Sequence, residues 1–172
     1  INRKDYWSFK LMVKVLIKKL NPSVQLPSYK TDGASGMDLM ANIKKSINLE
    51  PGKSCLVPTG LSVAFPDQYE IQIRPRSGLA AKNNISILNT PGTIDSDYRG
   101  ELKVILFNHG NENFKINNND RIAQMVLAPI IKMELEETKE LPESVRGDGG
   151  FGSTGKWITI LINLKLRDFQ DN

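Results

Sequence analysis

Residues 60–74 have the sequence GLSVAFPDQYEIQIR, and this stretch indicates a fold built from short β-strands. In Tyr69–Arg74 the side chains of Tyr, Ile and Ile alternate with those of Glu, Gln and Arg, which is the period of a half-buried strand. Pro66 lies in the turn between this strand and a second one at Gly60–Phe65. The stretch therefore predicts two consecutive strands.

The same pattern continues on both sides. In residues 13–18, Val13, Val15 and Ile17 alternate with Lys14, Leu16 and Lys18, as in a half-buried strand. Further strands are predicted at Ser46–Leu49, Cys55–Pro58, Ile85–Leu88, Leu102–Phe107 and Ala123–Ala128. Only Ser77–Asn83 has helical character, with Ser77 expected as the N-cap residue. Short strands with Gly, Pro and Asn turns at this spacing predict an all-β sandwich or barrel.

The chain of 172 residues contains one cysteine, Cys55, and one histidine, His109. One cysteine excludes an intramolecular disulfide and a cysteine-rich zinc site, and it favours a reducing compartment such as the cytoplasm. One histidine excludes a histidine-based zinc cluster within the chain, and we interpret His109 as a loop residue between strands. Catalysis is therefore expected to rest on carboxylates, arginines and a metal ion that arrives with the substrate.

The net charge of +4 is distributed unevenly. Residues 1–20 contain six Lys or Arg and one acidic residue, a balance of +5, whereas residues 21–155 contain fourteen basic and sixteen acidic residues, a balance of −2. A nearly neutral body is a weak basis for a DNA-binding surface, so no specific nucleic acid is expected as a partner.

No stretch reaches the roughly 18 apolar residues of a membrane span, so no membrane partner is expected.

Composition divides the chain into four expected segments. Residues 1–11 are interpreted as an upstream extension, because Met12 resembles a natural start. Residues 12–145 are expected to form the core domain. Residues 146–155 form a glycine-rich arm that is expected to be flexible. Residues 156–172 are an apolar, strand-prone tail for which we find no function.

Five short segments combine glycines with charged or hydroxyl residues. They occupy residues 34–41, 74–82, 89–101, 121–126 and 146–155. In the same order their sequences are ASGMDLMA, RPRSGLAAK, NTPGTIDSDYRGE, RIAQMV and RGDGGFGSTG. Any one of these is common, whereas all five in this order are very hard to produce by chance.

In order and spacing, the five segments closely resemble the motifs of the homotrimeric dUTPase family, and the resemblance runs from about Met12 to Gly155. It implies an all-β, jelly-roll-like distorted β-barrel with one short helix and a flexible C-terminal arm. It also implies a homotrimer with active sites shared between subunits, dUTP as substrate and Mg²⁺ as cofactor. The implied reaction is hydrolysis of dUTP to dUMP and pyrophosphate, which lowers dUTP and supplies dUMP for thymidylate synthesis.

The second segment has residue types suited to phosphate. Ser77 opens the predicted helix, where free N–H groups and the helix dipole favour an anion. Arg76 adds a charge-assisted hydrogen-bond donor. A plain N-cap beside a surface arginine is the alternative when the segment is taken alone. By resemblance, Arg76, Ser77 and Gly78 bind the phosphate chain.

The third segment supplies a turn between two predicted strands, and its backbone N–H and C=O groups can recognise a pyrimidine edge. By resemblance the uracil site contains Asn89, Gly92, Thr93 and Ile94. Tyr98 is expected to stack beneath the sugar and exclude a 2′-hydroxyl, as the corresponding tyrosine of the family does. Core packing is the alternative for Tyr98 alone.

Asp95 is the predicted general base, because a carboxylate within hydrogen-bond reach can orient and partly deprotonate the water that attacks the α-phosphorus. Asp97 is expected to have a structural role and to pair with Arg99. Without the resemblance, either aspartate can equally be a turn residue.

Asp38 and Gln124 complete the predicted phosphate side. Mg²⁺ keeps several waters and binds substrate phosphates with few protein carboxylates. The resemblance assigns Asp38 a contact to the ion through water. Gln124 can donate to the α-phosphate or hold the attacking water, whereas Arg121 is expected to brace neighbouring strands or subunits.

The glycine-rich arm nearly matches a P-loop, but Trp157 occupies the position that requires Ser or Thr, and no strand precedes the loop. The P-loop interpretation is therefore rejected. By resemblance, Phe151 covers the uracil, and the other substrate-binding residues of the arm are Arg146, Gly152, Ser153 and Thr154. Closure of the arm would exclude water other than the nucleophile.

Two other functions stay open at this point. A dCTP deaminase of the same fold would need a cytosine-specific pocket and would release ammonia. A non-catalytic nucleotide-binding or nucleic-acid-binding module would use the basic leader as its contact and would show salt-dependent DNA affinity. The charged and hydroxyl residues present in all five segments favour an active enzyme.

Overall fold

The structure is a computed structural model that describes residues 12–150, and the described range contains eleven strands and one helix. The first strands in chain order are β1 (Leu16–Lys19), β2 (Met37–Met40), β3 (Ile47–Leu49), β4 (Ser54–Pro58), β5 (Leu61–Ala64) and β6 (Tyr69–Arg74). Helix α1 (Ser77–Asn83) is followed by β7 (Ile85–Ile87), β8 (Gly92–Ile94), β9 (Lys103–Asn108), β10 (Phe114–Ile116) and β11 (Arg121–Pro129). The all-β class is confirmed. No helix within residues 12–150 is long and apolar enough to cross a membrane.

The strands form four antiparallel sheets. The largest has the order β2-β11-β6-β8, and the next has the order β4-β9-β7. The two remaining sheets pair β1 with β5 and β3 with β10. In the three-stranded sheet Ile85 lies opposite Asn108 and Ile87 opposite Leu106, so the strands that flank the third segment are neighbours as predicted.

Alternating burial along the strands creates the core. In β6, Ile71 and Ile73 are buried between Glu70, Gln72 and Arg74, which are not. Buried side chains from all four sheets form one cluster, including Leu39, Leu49, Val57, Val63, Leu106 and Ile116. Full burial of an aliphatic side chain contributes roughly 1.5–3 kcal/mol. The sheets therefore surround one apolar interior, as expected of a distorted barrel.

Helix α1 has the predicted bounds, but the predicted cap is wrong. Its N-cap is Arg76, which has extended backbone angles and makes no side-chain capping bond. The Arg76 carbonyl already accepts hydrogen bonds from the N–H groups of Leu79 and Ala80. Ser77 is therefore the first helical residue. At the other end Asn84 adopts the left-handed conformation (φ 55°) that ends many helices.

Near the two ends of the described range, the observed structure differs in part from the structure that the sequence predicts. The alternation in residues 13–18 produces a paired strand only from Leu16 onward. The chain divides into two compact units after Lys132, and described residues 133–150 contain turns but neither helix nor strand. The predicted extension at 1–11 and the tail at 156–172 lie outside the described residues, so those limits stay predictions.

Candidate active site

Three of the five segments meet along the four-stranded sheet. Gln124 of β11 lies opposite Asp38 of β2 on one side and opposite Arg74 of β6 on the other. Residues directly opposite each other project from the same face of a sheet, so these three side chains form one polar row. The chain leaves β6 at Arg74 and enters α1 three residues later at Ser77, which brings the N-cap residue Arg76 to the end of this row.

Asp38 is the centre of an ion-paired cluster. Its Oδ1 accepts a hydrogen bond from Arg76 Nε at 2.8 Å, and its Oδ2 accepts one from Arg121 Nη1 at 3.2 Å. Arg76 Nη1 also donates to the Arg121 backbone carbonyl at 3.0 Å. The Asp38 side chain is only 18% exposed, against 53% for Arg121. Two guanidinium groups face one carboxylate, so the cluster has a positive charge in excess and suits an anion.

Arg121 connects β11 to β2 through this contact, and so braces neighbouring strands as predicted. The pairing of Arg76 with Asp38 was missed, because the two residues are 38 positions apart and no local pattern links them. Only the register of the sheet brings them together.

Gln124 is held tightly beside the same cluster. Its Nε2 donates to the Pro75 carbonyl at 2.9 Å, which fixes the residue immediately before Arg76. A Cβ at Gly36 would come within 2.9 Å of Gln124 Oε1, so this glycine allows the close approach of the glutamine. One of the two Nε2 hydrogens is used in the Pro75 bond, and the amide retains a second donor.

The first turn of α1 offers its backbone toward open space. The N–H groups of Ser77 and Gly78 precede the first intrahelical hydrogen bond, and no acidic residue lies in this turn. A Cβ at Gly78 would meet nothing within 4 Å. Packing within the described residues therefore does not explain why position 78 is a glycine. Close approach of a ligand to the backbone at this position would explain it.

The third segment lies at the opposite edge of the sheet. β8 pairs with β6, with Gly92 opposite Ile73 and Ile94 opposite Ile71. A Cβ at Gly92 would lie 3.3 Å from Asn89 Nδ2, so this glycine lets the Asn89 amide approach the backbone. Thr93 is exposed and Ile94 is partly buried, while the Thr90–Pro91 peptide bond is cis.

Asp95 and the Asp38 cluster are far apart within one chain. Asp95 is exposed and follows Ile94, which pairs with Ile71, whereas Arg76 lies five residues beyond Ile71 in the other direction. At about 3.3 Å per strand residue, roughly 15–20 Å separates Asp95 from Arg76. A single subunit therefore does not bring the predicted base to the predicted phosphate-binding residues.

The turn after Asp95 differs from the prediction in one respect. The expected pairing of Asp97 with Arg99 is wrong, because Arg99 Nη1 donates instead to the carbonyls of Ser96 at 2.6 Å and Tyr98 at 2.9 Å. Backbone carbonyls of the same tight turn lie closer to the guanidinium than the exposed carboxylate does. Tyr98 is 44% exposed, which excludes core packing as its role.

Of the fifth segment, the structure describes residues 146–150. The side chain of Arg146 is exposed, and its Nε donates to the Gly149 carbonyl at 2.6 Å. Gly147 has a positive φ of 54°. Phe151, Gly152, Ser153 and Thr154 lie outside the described residues, so their predicted roles stay predictions.

Other reactive side chains lie away from these segments. His109 follows β9 in an exposed loop, as predicted, and its Nε2 lies 2.7 Å from Ser86 Oγ. Cys55 is half-buried on β4, and burial raises the pKa of its thiol above the ordinary value. Among residues 12–150 no group of three or more His, Cys, Asp or Glu side chains is arranged to hold a metal ion.

A cavity of about 730 Å³ lies on the other face of the four-stranded sheet. Its lining includes Met37 and Met125, which alternate with Asp38 and Gln124 along their strands. The cavity is thus separated from the polar row by the sheet, and it is not part of the candidate site.

The profile of the dUTPase family matches residues 23–155, well over half of the chain. The chain belongs to the dUTPase family. A deoxyuridine 5′-triphosphate nucleotidohydrolase of Fusobacterium nucleatum is 56% identical over 146 residues, which are 84% of this chain and 100% of that protein. The corresponding protein of Clostridium tetani is 55% identical over 140 residues, 81% of this chain and 95% of its own length.

Solved structures of dUTPases have the same fold. The dUTPase of Staphylococcus bacteriophage 80alpha with dUPNHPP has a TM-score of 0.75 at 25% identity, over 83% of this chain and 99% of the phage chain. A mutant dUTPase of phage phi11 of S. aureus, whose structure shows the coordination of a structural Mg(II) ion, has a TM-score of 0.68 at 22% identity, over 76% of this chain and 99% of the phage chain. These likenesses confirm the jelly-roll-like β fold implied by the five dUTPase motifs.

Proposed function

We propose that this protein hydrolyses dUTP to dUMP and pyrophosphate. The observation that carries the proposal is the 56% identity to a deoxyuridine 5′-triphosphate nucleotidohydrolase over that protein's whole length. Retention of charged or hydroxyl residues in all five segments supports an active enzyme. A cytoplasmic location is part of the proposal, supported by the single cysteine, and cell fractionation would test it.

Active sites shared between subunits of a homotrimer are part of the same proposal. The separation of Asp95 from Arg76 supports it, because a second chain must then supply one of the two. Exposed apolar side chains near the C-terminal end of the described range give further support, since a partner surface would bury them. They are Ile131, Met133, Leu135, Leu141 and Val145. Sedimentation analysis of the full chain would test the trimer.

The Asp38 cluster and the start of α1 form the proposed phosphate side. Arg76 donates a charge-assisted hydrogen bond to phosphate oxygens, and the N–H groups of Ser77 and Gly78 donate neutral ones. The vacant space around Gly78 supports this role, because phosphate oxygens can approach its backbone. Gln124 donates one Nε2 hydrogen to the Pro75 carbonyl beside Arg76, and its amide keeps a second donor for a ligand.

Mg²⁺ is the proposed cofactor, and the donor set fits an ion bound mainly by substrate. Asp38 accepts one hydrogen bond at each carboxylate oxygen, which leaves further acceptor positions for a metal-bound water. Asp38 is therefore the residue that would hold the ion, through water. When bound, Mg²⁺ would neutralise phosphate charge at this site.

Base recognition and the attack on phosphorus are assigned to the third segment of a neighbouring chain. The backbone of residues 92–94, with the Asn89 amide, forms the proposed uracil site, and Tyr98 packs beneath the deoxyribose. Asp95 accepts a proton from a water whose oxygen forms the new bond to the α-phosphorus. The bond from that phosphorus to the bridging oxygen breaks, and pyrophosphate leaves with the electron pair.

The glycine-rich arm is proposed as the closing element. Phe151 would cover the uracil, and Arg146 with Gly152, Ser153 and Thr154 would contact the terminal phosphate. The positive φ of Gly147 supports a glycine requirement at the base of the arm. Truncation after Gly150 should abolish turnover and leave the barrel folded, which circular dichroism would verify.

The deciding experiment measures pyrophosphate release by the full chain from dUTP, dCTP, dTTP and UTP, with and without Mg²⁺. We expect turnover with dUTP and Mg²⁺, and little with the other three nucleotides. Ammonia release from dCTP, or the absence of pyrophosphate release from dUTP, would overturn the proposal.

A further inference from the structure

Tyr98 folds back over the chain that follows it. Its hydroxyl donates a hydrogen bond to the Glu101 backbone carbonyl at 3.1 Å. A Cβ at Gly100 would overlap the hydroxyl and the adjoining ring carbons of Tyr98, so glycine is required for the ring to lie here. With 44% of the residue exposed, part of the ring stays accessible to a ligand.

Glu101 ties this turn to a corner of the barrel that lies outside the five segments. Its Oε1 accepts a hydrogen bond from the Gly60 N–H at 2.8 Å, although the residues are 41 positions apart. Gly60 connects β4 to β5 with a φ of +70°, and a Cβ there would overlap Asn42 and Val24. The conformation of the corner is thus closely determined, and Glu101 has a fixed partner.

The residue after Glu101 is attached to the same corner. The buried Thr59 hydroxyl donates to the Leu102 carbonyl at 2.7 Å, and the Leu102 N–H donates to the Leu61 carbonyl at 2.7 Å. Three successive corner residues therefore hold positions 101 and 102. Because the Tyr98 hydroxyl is bonded to the carbonyl of Glu101, the corner also determines where the outer end of the tyrosine ring lies.

We propose that Glu101 is a positioning residue for sugar selection: by bonding to Gly60 it keeps the Tyr98 ring where a ribose 2′-hydroxyl has no room. This inference rests on the proposed function, in which Tyr98 packs beneath the deoxyribose. Exclusion by overlap requires a ring that cannot move aside, because a mobile ring would yield to the extra hydroxyl at little cost. Glu101 itself contacts neither sugar nor phosphate in this scheme.

The test compares kcat/KM for dUTP with kcat/KM for UTP in the full chain, and Tyr98→Ala sets the scale for complete loss of selection. In Glu101→Ala we expect the ratio to fall about tenfold through a lower KM for UTP, with kcat for dUTP within about twofold of wild type. Glu101→Gln should restore the ratio, because its amide oxygen accepts the same bond from Gly60. Lys103→Ala is the matched control, since Lys103 Nζ lies 3.9 Å from the other carboxylate oxygen and has no part in holding the ring.

An unchanged ratio in folded Glu101→Ala overturns the inference, and so does a fall in Lys103→Ala as large as that in Glu101→Ala. If Glu101→Ala does not fold, Glu101→Asp decides, because its carboxylate keeps the charge but is one methylene too short to accept the bond from the Gly60 N–H. A lower ratio there supports the inference, and an unchanged one overturns it. Absence of dUTP hydrolysis by the wild-type chain is a separate result, which refutes the proposed function itself.

Discussion

The Asp38 cluster and the third segment are held in place in different ways. In the cluster, charged side chains from β2, from the N-cap of α1 and from β11 bond to each other, and the residues they join are 38 to 83 positions apart. In the third segment β8 pairs with β6, and the turn that follows β8 bonds mainly to itself. The long-range support of that turn comes from Glu101 and the corner at Gly60. The cluster therefore presents charge to a ligand, whereas the third segment presents a fixed shape.

The largest expected effect concerns the chemistry of the third segment. Asp95→Asn should lower kcat by about 10²–10⁴-fold and leave dUTP affinity within a few-fold, because an amide cannot accept the proton from water. Pyrophosphate release and calorimetric binding of dUTP measure the two quantities. Asp97→Asn, an exposed neighbour on the same turn, is the control and should retain turnover. Wild-type kcat in Asp95→Asn would remove the residue from the role of base.

The next effect concerns the charge of the cluster. Arg76→Ala should lower kcat/KM for dUTP by about 10–100-fold, because it removes charge-assisted donors and leaves Asp38 with one partner. Arg74→Ala is the matched control, since the Arg74 guanidinium bonds to Gln72 at 2.9 Å and 2.6 Å and not to Asp38. If both variants lose the same activity, the phosphates are attracted by the overall positive charge of this surface and not by the specific geometry of the Asp38 cluster.

A smaller effect tests the support of the third segment. Gly60→Ala should lower the free energy of unfolding by about 1–3 kcal/mol, because it adds overlap with Asn42 and Val24 to the strain of a positive φ. Gly52→Ala separates the two causes, since Gly52 has a φ of +69° and nothing within 4 Å of an added Cβ. Urea denaturation should therefore show a larger loss at position 60, and equal losses would contradict the role of overlap.

The smallest effect uses Cys55, which lies on β4 and bonds to neither region. Burial raises the pKa of its thiol above the ordinary 9.0, so the thiolate is scarce at pH 7–8 and alkylation by iodoacetamide should be slow. The rate should rise only as the pH passes above 9, and the stability that the protonated thiol contributes is lost over that same range. If Cys55 were alkylated quickly at pH 7 in one of the active-site variants, the substitution would have exposed the thiol by disturbing the packing of the barrel.

Much of the fold was predictable because burial repeats every second residue in its longer strands. β6 and β9 show this alternation clearly, and α1 was located with its bounds. Three short strands were missed, namely β2, β8 and β10, because strands of three or four residues give too few repeats of the pattern. Residues 92–94 had been assigned to a turn. The N-cap of α1 was assigned one residue late, since Ser77 has the preferred side chain but Arg76 supplies the capping backbone.

The site was predictable as a set of residue types and not as an arrangement. The resemblance selected Asp38 and Arg76 separately, yet their ion pair depends on strand register and is invisible in local sequence. The bond from Gly60 to Glu101 joins a corner that no motif contains to the end of the third segment. Such contacts depend on which strands are neighbours in the fold, whereas a sequence motif contains only residues that are close together in the chain.

The strand order β2-β11-β6-β8 leaves Asp38 and Asp95 on opposite borders of one sheet. On the proposed assembly, a defect in one chain can be compensated by another chain. Arg76→Ala subunits still contain Asp95, and Asp95→Asn subunits still contain Arg76, so co-refolding the two impaired proteins in equal amounts should regenerate about a quarter of the wild-type sites. Complementation of this kind cannot arise in an enzyme whose sites each lie within a single subunit.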